Sequence, residues 1–317
     1  MTRALWVVLL AIALVAAGCG GSSSKSGGGT ASTTSPPTTG GKQIKVGLVT
    51  DIGGLNDRSF NHLNYVGLLR AQKELGVSGR VLESHQNSDY VPNLSSLAQQ
   101  HFDLVVGVGF LMANAVDTVA TKFPTVSFAI VDFSQAALKH KPKNVVGILF
   151  KEQESGYLAG YLAGLVVKHQ GGKQIVSTVG GQKIPPVDRY IAGFQAGARA
   201  ADPGIKTLNA YSQDFVDPAK CKEIALNQIG ADADQSFLGP HILTSALKKD
   251  DVAVLKTIES VQNGTFEGGR DIVFDVRSGA AGLGKISPKV PSGIVAKVMA
   301  KQKEIAAGKV SIPSELK

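Results

Sequence analysis

Hydrophobic and polar positions divide this 317-residue chain into three stretches. Every residue from Ala4 to Ala17 is apolar, almost none from Gly20 to Gly41 is, and from Lys42 onward short apolar runs alternate with amphipathic ones. In that long third stretch the runs Ile44–Thr50, Arg80–Glu83, Asp103–Gly109, Thr125–Val131 and Val145–Phe150 are expected strands. Helices are expected over Asp57–Leu75, Val91–Gln100 and Leu111–Lys122, where the apolar spacing follows the helical period. Glu152–His169 reads as a long helix whose Gly156, Gly160 and Gly164 are four apart, the spacing for a close helix contact. The alternation then restarts, with strands over Gln174–Val179, Ile205–Tyr211, Ile242–Leu247 and Ile272–Val276. Helices are expected there over Val187–Ala201, Pro218–Ile229, Asp251–Gln262 and Val290–Ala307. Strands apolar on both faces that alternate with helices belong to parallel sheets in layered α/β domains. Two such runs, joined near Phe150-Lys151, predict two lobes: 43–150, together with C-terminal crossover segments, and 151–317. One place breaks the rhythm. After Ile229 a strand is due, but Gly230-Ala231-Asp232-Ala233-Asp234-Gln235 contains no apolar run, so the second lobe reads as short of one β-α unit.

The apolar leader is too short for a comfortable membrane span, which takes about 20 apolar residues, and it follows a single positive charge at Arg3. Residues 1–18 therefore read as a secretory signal. Ala16-Ala17-Gly18-Cys19 resembles a bacterial lipobox, with Ala16 where Leu is usual. That resemblance implies a diacylglyceryl-modified Cys19 at the mature N-terminus. The alternatives are an ordinary secreted protein or a signal anchor. Residues 19–42 then form a leash too polar to offset its own ordering entropy. The resulting location is extracytoplasmic, on the cell membrane.

Composition narrows the function. With 43% hydrophobic and 18% charged residues the body can build a true core. The formal net charge is +8, but the Lys and Arg residues form no stripe with interleaved aromatics, so nucleic-acid binding is not expected. A lipidated Cys19 leaves Cys221 alone and read as a structural thiol in an amphipathic stretch, with no intrachain disulfide. The six histidines lack metal-ligand spacing, and no Gly-x-Ser-x-Gly elbow occurs, so neither a metal, a cofactor nor an enzyme is expected.

The densest chemistry lies from Thr50 to Asn61, between the first strand and first helix. Ligands of open α/β sheets bind at the carboxyl ends of strands. Asp51 sits at such an end, Asn56 or Asp57 can cap the helix, and Phe60 places a large ring among polar groups. Asp132 ends another strand in the same way. Its plainer reading is a turn former. Two glycine-rich stretches imitate nucleotide motifs. Gly107–Met112 has Met112 where a dinucleotide fingerprint needs Gly. Gly279–Ile286 has Ile286 where a P-loop needs Ser or Thr, with Pro288 just behind. Both are read as loops.

Five stretches, TDIGGLNDRSFN from Thr50, DYVPNLSSLA from Asp89, FKEQESGYLAGYLAG from Phe150, VGGQKIPPVDRYIAGFQAGARA from Val179 and DADQSFLGPHILTSALKK from Asp232, resemble the BMP family. These are the basic membrane lipoprotein or PnrA-like substrate-binding proteins of ABC transporters. The resemblance implies a two-lobed type I periplasmic-binding fold, each lobe a mostly parallel sheet flanked by helices, with no chemistry on the ligand. It implies that Asp51 contacts the ligand, Phe60 stacks on a base, Asp132 and Asp232 take ribose hydroxyl protons, and Lys248 joins from the second lobe. Between Ile229 and Asp232 relatives carry a further strand, a Gly-rich turn and a helix, and that strand supplies a second aromatic. The expected function is a lipid-anchored, monomeric receptor that closes about purine or other nucleosides and delivers them to an ABC permease. The alternatives are a sugar receptor, a sensory lipoprotein, or a degenerate member that has lost its ligand with the missing unit.

Overall fold

The computed structural model describes residues 42–215 and 228–316. The leader, Cys19, the leash, Cys221 and nearly all of the expected helix Pro218–Ile229 lie outside those residues. The first lobe opens with β1 (Lys45–Val49), α1 (Phe60–Leu75), β2 (Ser78–Leu82) and α2 (Tyr90–Gln99). It continues through β3 (Leu104–Gly107), α3 (Ala113–Lys122), β4 (Ser127–Val131) and β5 (Val145–Phe150). The chain then crosses into the second lobe with α4 (Glu152–Gln170), β6 (Ile175–Gly180), α5 (Pro185–Ala201) and β7 (Lys206–Tyr211). It resumes at β8 (Gln228–Asp232) and β9 (Ile242–Lys248), and returns to the first lobe with α6 (Asp250–Gln262) and β10 (Arg270–Phe274). A last crossing leads to β11 (Ala281–Leu283) and α7 (Ser292–Ala306). Residues 250–274 therefore pack with the first lobe, although they follow the junction at Phe150 by a hundred residues.

The first-lobe sheet runs β10-β5-β4-β3-β1-β2, with every neighbouring pair parallel. Its central strand β3 is buried at all four residues, Leu104-Val105-Val106-Gly107. Leu104 and Val106 join one core cluster, while Val105 joins the other on the opposite face. That two-sided burial is why the strand is apolar without alternation.

The second lobe is divided. β8, β9 and β11 form one sheet, with β8 parallel and β11 antiparallel to β9, whereas β6 and β7 pair only with each other. Two sequence expectations need correcting here. Gln228-Ile229, expected to end a helix, begins β8, and the segment read as lacking a strand is its continuation to Asp232. Small residues suffice because the ladder with β9 supplies the order, with a bulge at Gln228/Ile229. The P-loop imitation, read as a loop, contains β11.

The glycine ladder of α4 packs as its spacing predicts. A Cβ on Gly156 would strike the carbonyl of Tyr190, and one on Gly160 that of Phe194. Gly193 and Gly197 of α5 approach Gln153 and Tyr157 of α4 equally closely, so the two helices touch backbone to backbone.

The lobes repeat one another. After β5, Lys151 (φ −89°, ψ 68°) leads into α4 with the acid Glu152 first; after β9, Lys249 (φ −89°, ψ 72°) leads into α6 with Asp250 first. Each crossing helix then packs on the first helix of the lobe it enters, α4 on α5 and α6 on α1.

Candidate functional site

The strand tips of both lobes converge on one buried group of charges. Asp51, just after β1, is 7% exposed. Its Oδ1 accepts from Asn61 Nδ2 at 2.7 Å and from the Gly53 N–H at 3.0 Å, and its own N–H donates to Asn61 Oδ1. Burial pushes its pKa up, against the pull of those hydrogen bonds. Asp57 serves the helix: its carboxylate accepts from the backbone N–H groups of Ser59, Asn61 and His62. Asn56 stands exposed in the short 3-10 turn Leu55–Asp57.

Phe60, the first residue of α1, packs on the first-lobe core and presents its ring to Lys248, whose Nζ lies 4.5 Å from the ring centroid. Gly109 makes this possible. Its φ is +112°, and a Cβ there would stand 3.0 Å from Asp51 Oδ2 and 3.3 Å from Phe60. The failed dinucleotide motif thus carries a positional constraint of a different kind. Tyr90, second residue of the DYVPNLSSLA stretch, is buried with its hydroxyl towards the Asp51 side of the site. Burial, and then the Asp51 charge, push its pKa up to about 12.

Asp132 and Asp232 occupy equivalent places after β4 and at the end of β8. Both have left-handed backbones, φ 67° and 62°, a conformation that Asp tolerates better than most residues and that concentrates at functional sites. Lys248 at the tip of β9 is 3% exposed and lies 2.7 Å from Asp132 Oδ2 and 4.0 Å from Asp232 Oδ1. Asp232 also accepts from the Tyr190 hydroxyl at 3.1 Å, while Asp132 Oδ1 is buried without a partner. The structure therefore brings Asp51, Phe60, Asp132, Asp232 and Lys248 to one cleft, and leaves Asn56 on its exposed turn.

Four further residues complete the cluster and were not singled out from sequence. Glu152 is buried and pairs with Arg189, Nε to Oε2 at 2.6 Å. Asp250 is fully buried with neither oxygen hydrogen-bonded. Tyr190 and Arg189 come from α5. Acids opening helices α4 and α6 look like ordinary N-terminal residues favoured by the helix dipole, so only the crossing geometry reveals them.

Electrostatics follow from this crowding. Burial disfavours the Lys248 ammonium, but Asp132, Asp250, Asp232 and Glu152 outweigh it and hold the pKa above the usual lysine value. Burial raises Asp232 and raises Asp250 strongly. Burial first, and then Asp132, raise Glu152 from 4.5 to about 7, even though Arg189 pulls it down. Arg189 is held upward by its bonds to Glu152 against its own burial. The pair thus keeps the cation charged without fully offsetting what surrounds the acid.

A stability prediction results. The raised acids bind protons more readily folded than unfolded. Stability should be highest on the acid side and fall as pH rises through the window from 4.5 to about 7 set by Glu152. The loss should be on the order of 3 kcal/mol, at about 1.4 kcal/mol per pH unit over that window. Lys248 adds no slope there, because its stabilisation is lost only above its raised pKa. Urea denaturation across that range is the check, and Glu152→Gln should flatten the profile. A rising profile would contradict the assignment.

One cavity borders this cluster through Arg189, and another lies elsewhere in the first lobe. The first, of about 360 Å³, is bounded by Lys183, Pro185, Arg189 and Glu315, and the second, of about 200 Å³, by His140 and its neighbours. No group of three or more potential metal ligands occurs among the described residues.

Two lobes of mostly parallel sheet, crossed three times by the chain and meeting at strand-tip acids, an aromatic ring and a lysine, define a solute-binding protein of the periplasmic type. A solute-binding protein of an ABC transporter system from Aeropyrum pernix K1 has the same fold, with a TM-score of 0.75 at 23% identity over 86% of this chain and 94% of its own. The profile of the Bmp family, described as ABC transporter substrate-binding protein PnrA-like, matches residues 44–229 and again 226–315, and the chain belongs to that family. The ABC transporter nucleoside-binding protein BmpA of Lactococcus lactis is 29% identical over 324 positions, covering 86% of this chain and 90% of that protein. An uncharacterized lipoprotein of Pyrococcus horikoshii is 32% identical, covering 72% of this chain and 66% of that protein. The family match breaks at 226–229, where β8 begins. The Lactococcus alignment spans more positions than this chain has residues, so the relative carries residues for which this chain has none.

Proposed function

We propose that this protein is the lipid-anchored receptor of an ABC importer and that its ligand is a nucleoside. The convergence of Phe60, Asp132, Asp232 and Lys248 in one cleft carries the reading. An aromatic face beside acids with an unsatisfied acceptor at Asp132 Oδ1 suits a flat base joined to a sugar that brings hydroxyl donors. Closure of the lobes about the three crossings would trap the ligand for a permease. The nucleoside-binding name of the Lactococcus relative supports the ligand class, and the lipoprotein name of the Pyrococcus relative supports anchoring through Cys19. No helix among the described residues is long and apolar enough to cross a membrane, so an anchor has to lie elsewhere in the chain.

Lys248 Nζ now rests over the Phe60 ring, and a stacked base would take that face from it. Calorimetric titration with nucleosides and pentoses tests the ligand. Nucleosides should bind, though weakly, and pentoses less well. Phe60→Ala should cost about 1–3 kcal/mol of affinity through lost stacking. Binding of pentoses alone, or affinity indifferent to Phe60, would reject the nucleoside reading.

A further inference from the structure

The end of the first lobe that faces away from the cleft carries a charge pattern of its own. All six strands of that sheet are parallel, so the starts of β1, β3, β4 and β5 share one end, opposite the tips that hold Asp51 and Asp132. Polar contacts join these starts side by side. Lys42 Nζ lies 3.5 Å from Asp103 Oδ1, and the Lys45 N–H donates to Asp103 Oδ2. The Ser127 N–H donates to the Asp103 carbonyl, and the Phe128 N–H to that of Asn144. One continuous face thus runs from Lys42, where the described domain begins, to the loop that precedes β5.

That loop makes the face basic. Lys122, Lys139, Lys141 and Lys143 are all exposed, and none has an ion pair among the described residues. From Thr118 to Lys151 the one acid is Asp132, buried at the far end of the sheet. The acids that do stand at this end are already paired: Asp103 with Lys42, Asp117 with His140 and Glu267 with Arg270. The loop is also held in one shape. Asn144 Nδ2 lies within 3.1 Å of the carbonyl oxygens of Ala120, Phe123 and Val126, and so covers the negative end of α3. Gln135 Nε2 donates to the Pro142 carbonyl, and Lys141 has a left-handed backbone, φ 47°. The cavity of about 200 Å³ bounded by Thr121, His140 and Lys143 lies where this loop meets the helix end.

We propose that this face is a docking surface for an anionic membrane, its four lysines and His140 meeting lipid phosphate groups. The choice of a membrane rests on the reading of Cys19 as the lipid anchor. Cys19 precedes Lys42 by 23 residues, at most about 80 Å of fully extended chain. The anchored chain therefore enters the domain at the basic face and holds that face near the bilayer, where tethering raises its effective concentration. Unpaired lysines are attracted to anionic headgroups, each strengthening binding about fivefold. With this face on the membrane the first-lobe strands run away from the lipid. Their tips, with Asp51 and Asp132, are then held clear of the surface.

Vesicle co-sedimentation of the protein from Gly40 onward, one compact unit without Cys19, tests the surface apart from the anchor. It should bind vesicles of phosphatidylcholine with phosphatidylglycerol, release them as salt rises, and ignore vesicles of phosphatidylcholine alone. Lys122, Lys139, Lys141 and Lys143 changed together to Gln should weaken binding at least about a hundredfold, at roughly fivefold per lysine. The same change at Lys289, Lys297, Lys303 and Lys309, exposed lysines of the second lobe, removes equal charge and should leave binding nearly unchanged. Hydrogen exchange should slow across 139–144 when vesicles are added. No binding to the anionic vesicles, equal binding to neutral ones, or equal losses from the two lysine sets would overturn the proposal. So would displacement by inorganic phosphate at constant ionic strength, which would make the cavity a site for a soluble anion. Failure of these tests leaves the anchor reading standing, because fatty-acid labelling of the full chain against Cys19→Ala decides that separately.

Discussion

Lys248→Met should destabilise the folded domain by about 3–5 kcal/mol near neutral pH, the range for removing one partner of a buried ion pair. Lys248 is the cation that faces Asp132, Asp232 and Asp250 across the junction of the lobes. Asp250 depends on it most, since neither of its oxygens has a hydrogen bond. Without the ammonium these buried acids can escape only by taking up protons. The loss should therefore shrink as pH is lowered, because Asp232 and Asp250 already have raised pKa values and protonate early. The contact with the Phe60 ring is lost as well, worth up to about 2 kcal/mol when desolvated. Urea denaturation of both proteins at two pH values separates the contributions. A loss of equal size at both would assign the effect to packing of the lysine stem rather than to its charge. Lys248→Arg should retain most of the stability but displace the pair geometry.

Much of this architecture is legible in the amino-acid pattern, for definite reasons. Apolar strands separated by amphipathic helices leave few alternatives to a layered parallel sheet, so the strands holding Val46, Val105 and Ile148 are found within a residue or two. Asp51 and Asp132 stand out because a charged residue that ends such a strand has few places to go except the strand tips. Asp232 and Lys248 came from family resemblance alone. β8 escapes detection because Gly230, Ala231 and Asp232 have no strand pattern of their own, and pairing with β9 overrides that local preference. Glu152, Arg189 and Asp250 escape for another reason: their roles arise from crossings between residues far apart in sequence, and each has an ordinary local explanation as a helix residue. The broken rhythm after Ile229 is the opposite case: it suggests an absent strand where β8 in fact lies. The division of the second-lobe sheet among the described residues shows only in the structure.

Supplying a further strand to the second lobe should stabilise it, since among the described residues β6 pairs only with β7 and β8 only with β9. Gln228–Asp232 serves as β8 and has to stay continuous, so a strand, Gly-rich turn and helix of the kind the family resemblance implies would be inserted before Gln228. Inserted there, the strand should pair with β6 and β8 and join the two second-lobe sheets into one. Covering Ile175 of β6, which is 41% exposed, contributes about 1 kcal/mol, since full burial of such a side chain is worth about 1.5–3 kcal/mol. The strand's own apolar residues add to this, against a backbone ordering cost of about 1–2 kcal/mol per residue. The urea m-value should rise with the extra surface buried. An aromatic delivered opposite Phe60 should strengthen base binding by about 1–3 kcal/mol, or roughly 5- to 150-fold. A Gly/Ser insert of the same length should produce neither effect. If the unmodified chain already binds a nucleoside at micromolar concentration and the graft does not tighten it, the first-lobe ring and the acids around Lys248 suffice. The added strand would then matter to stability alone.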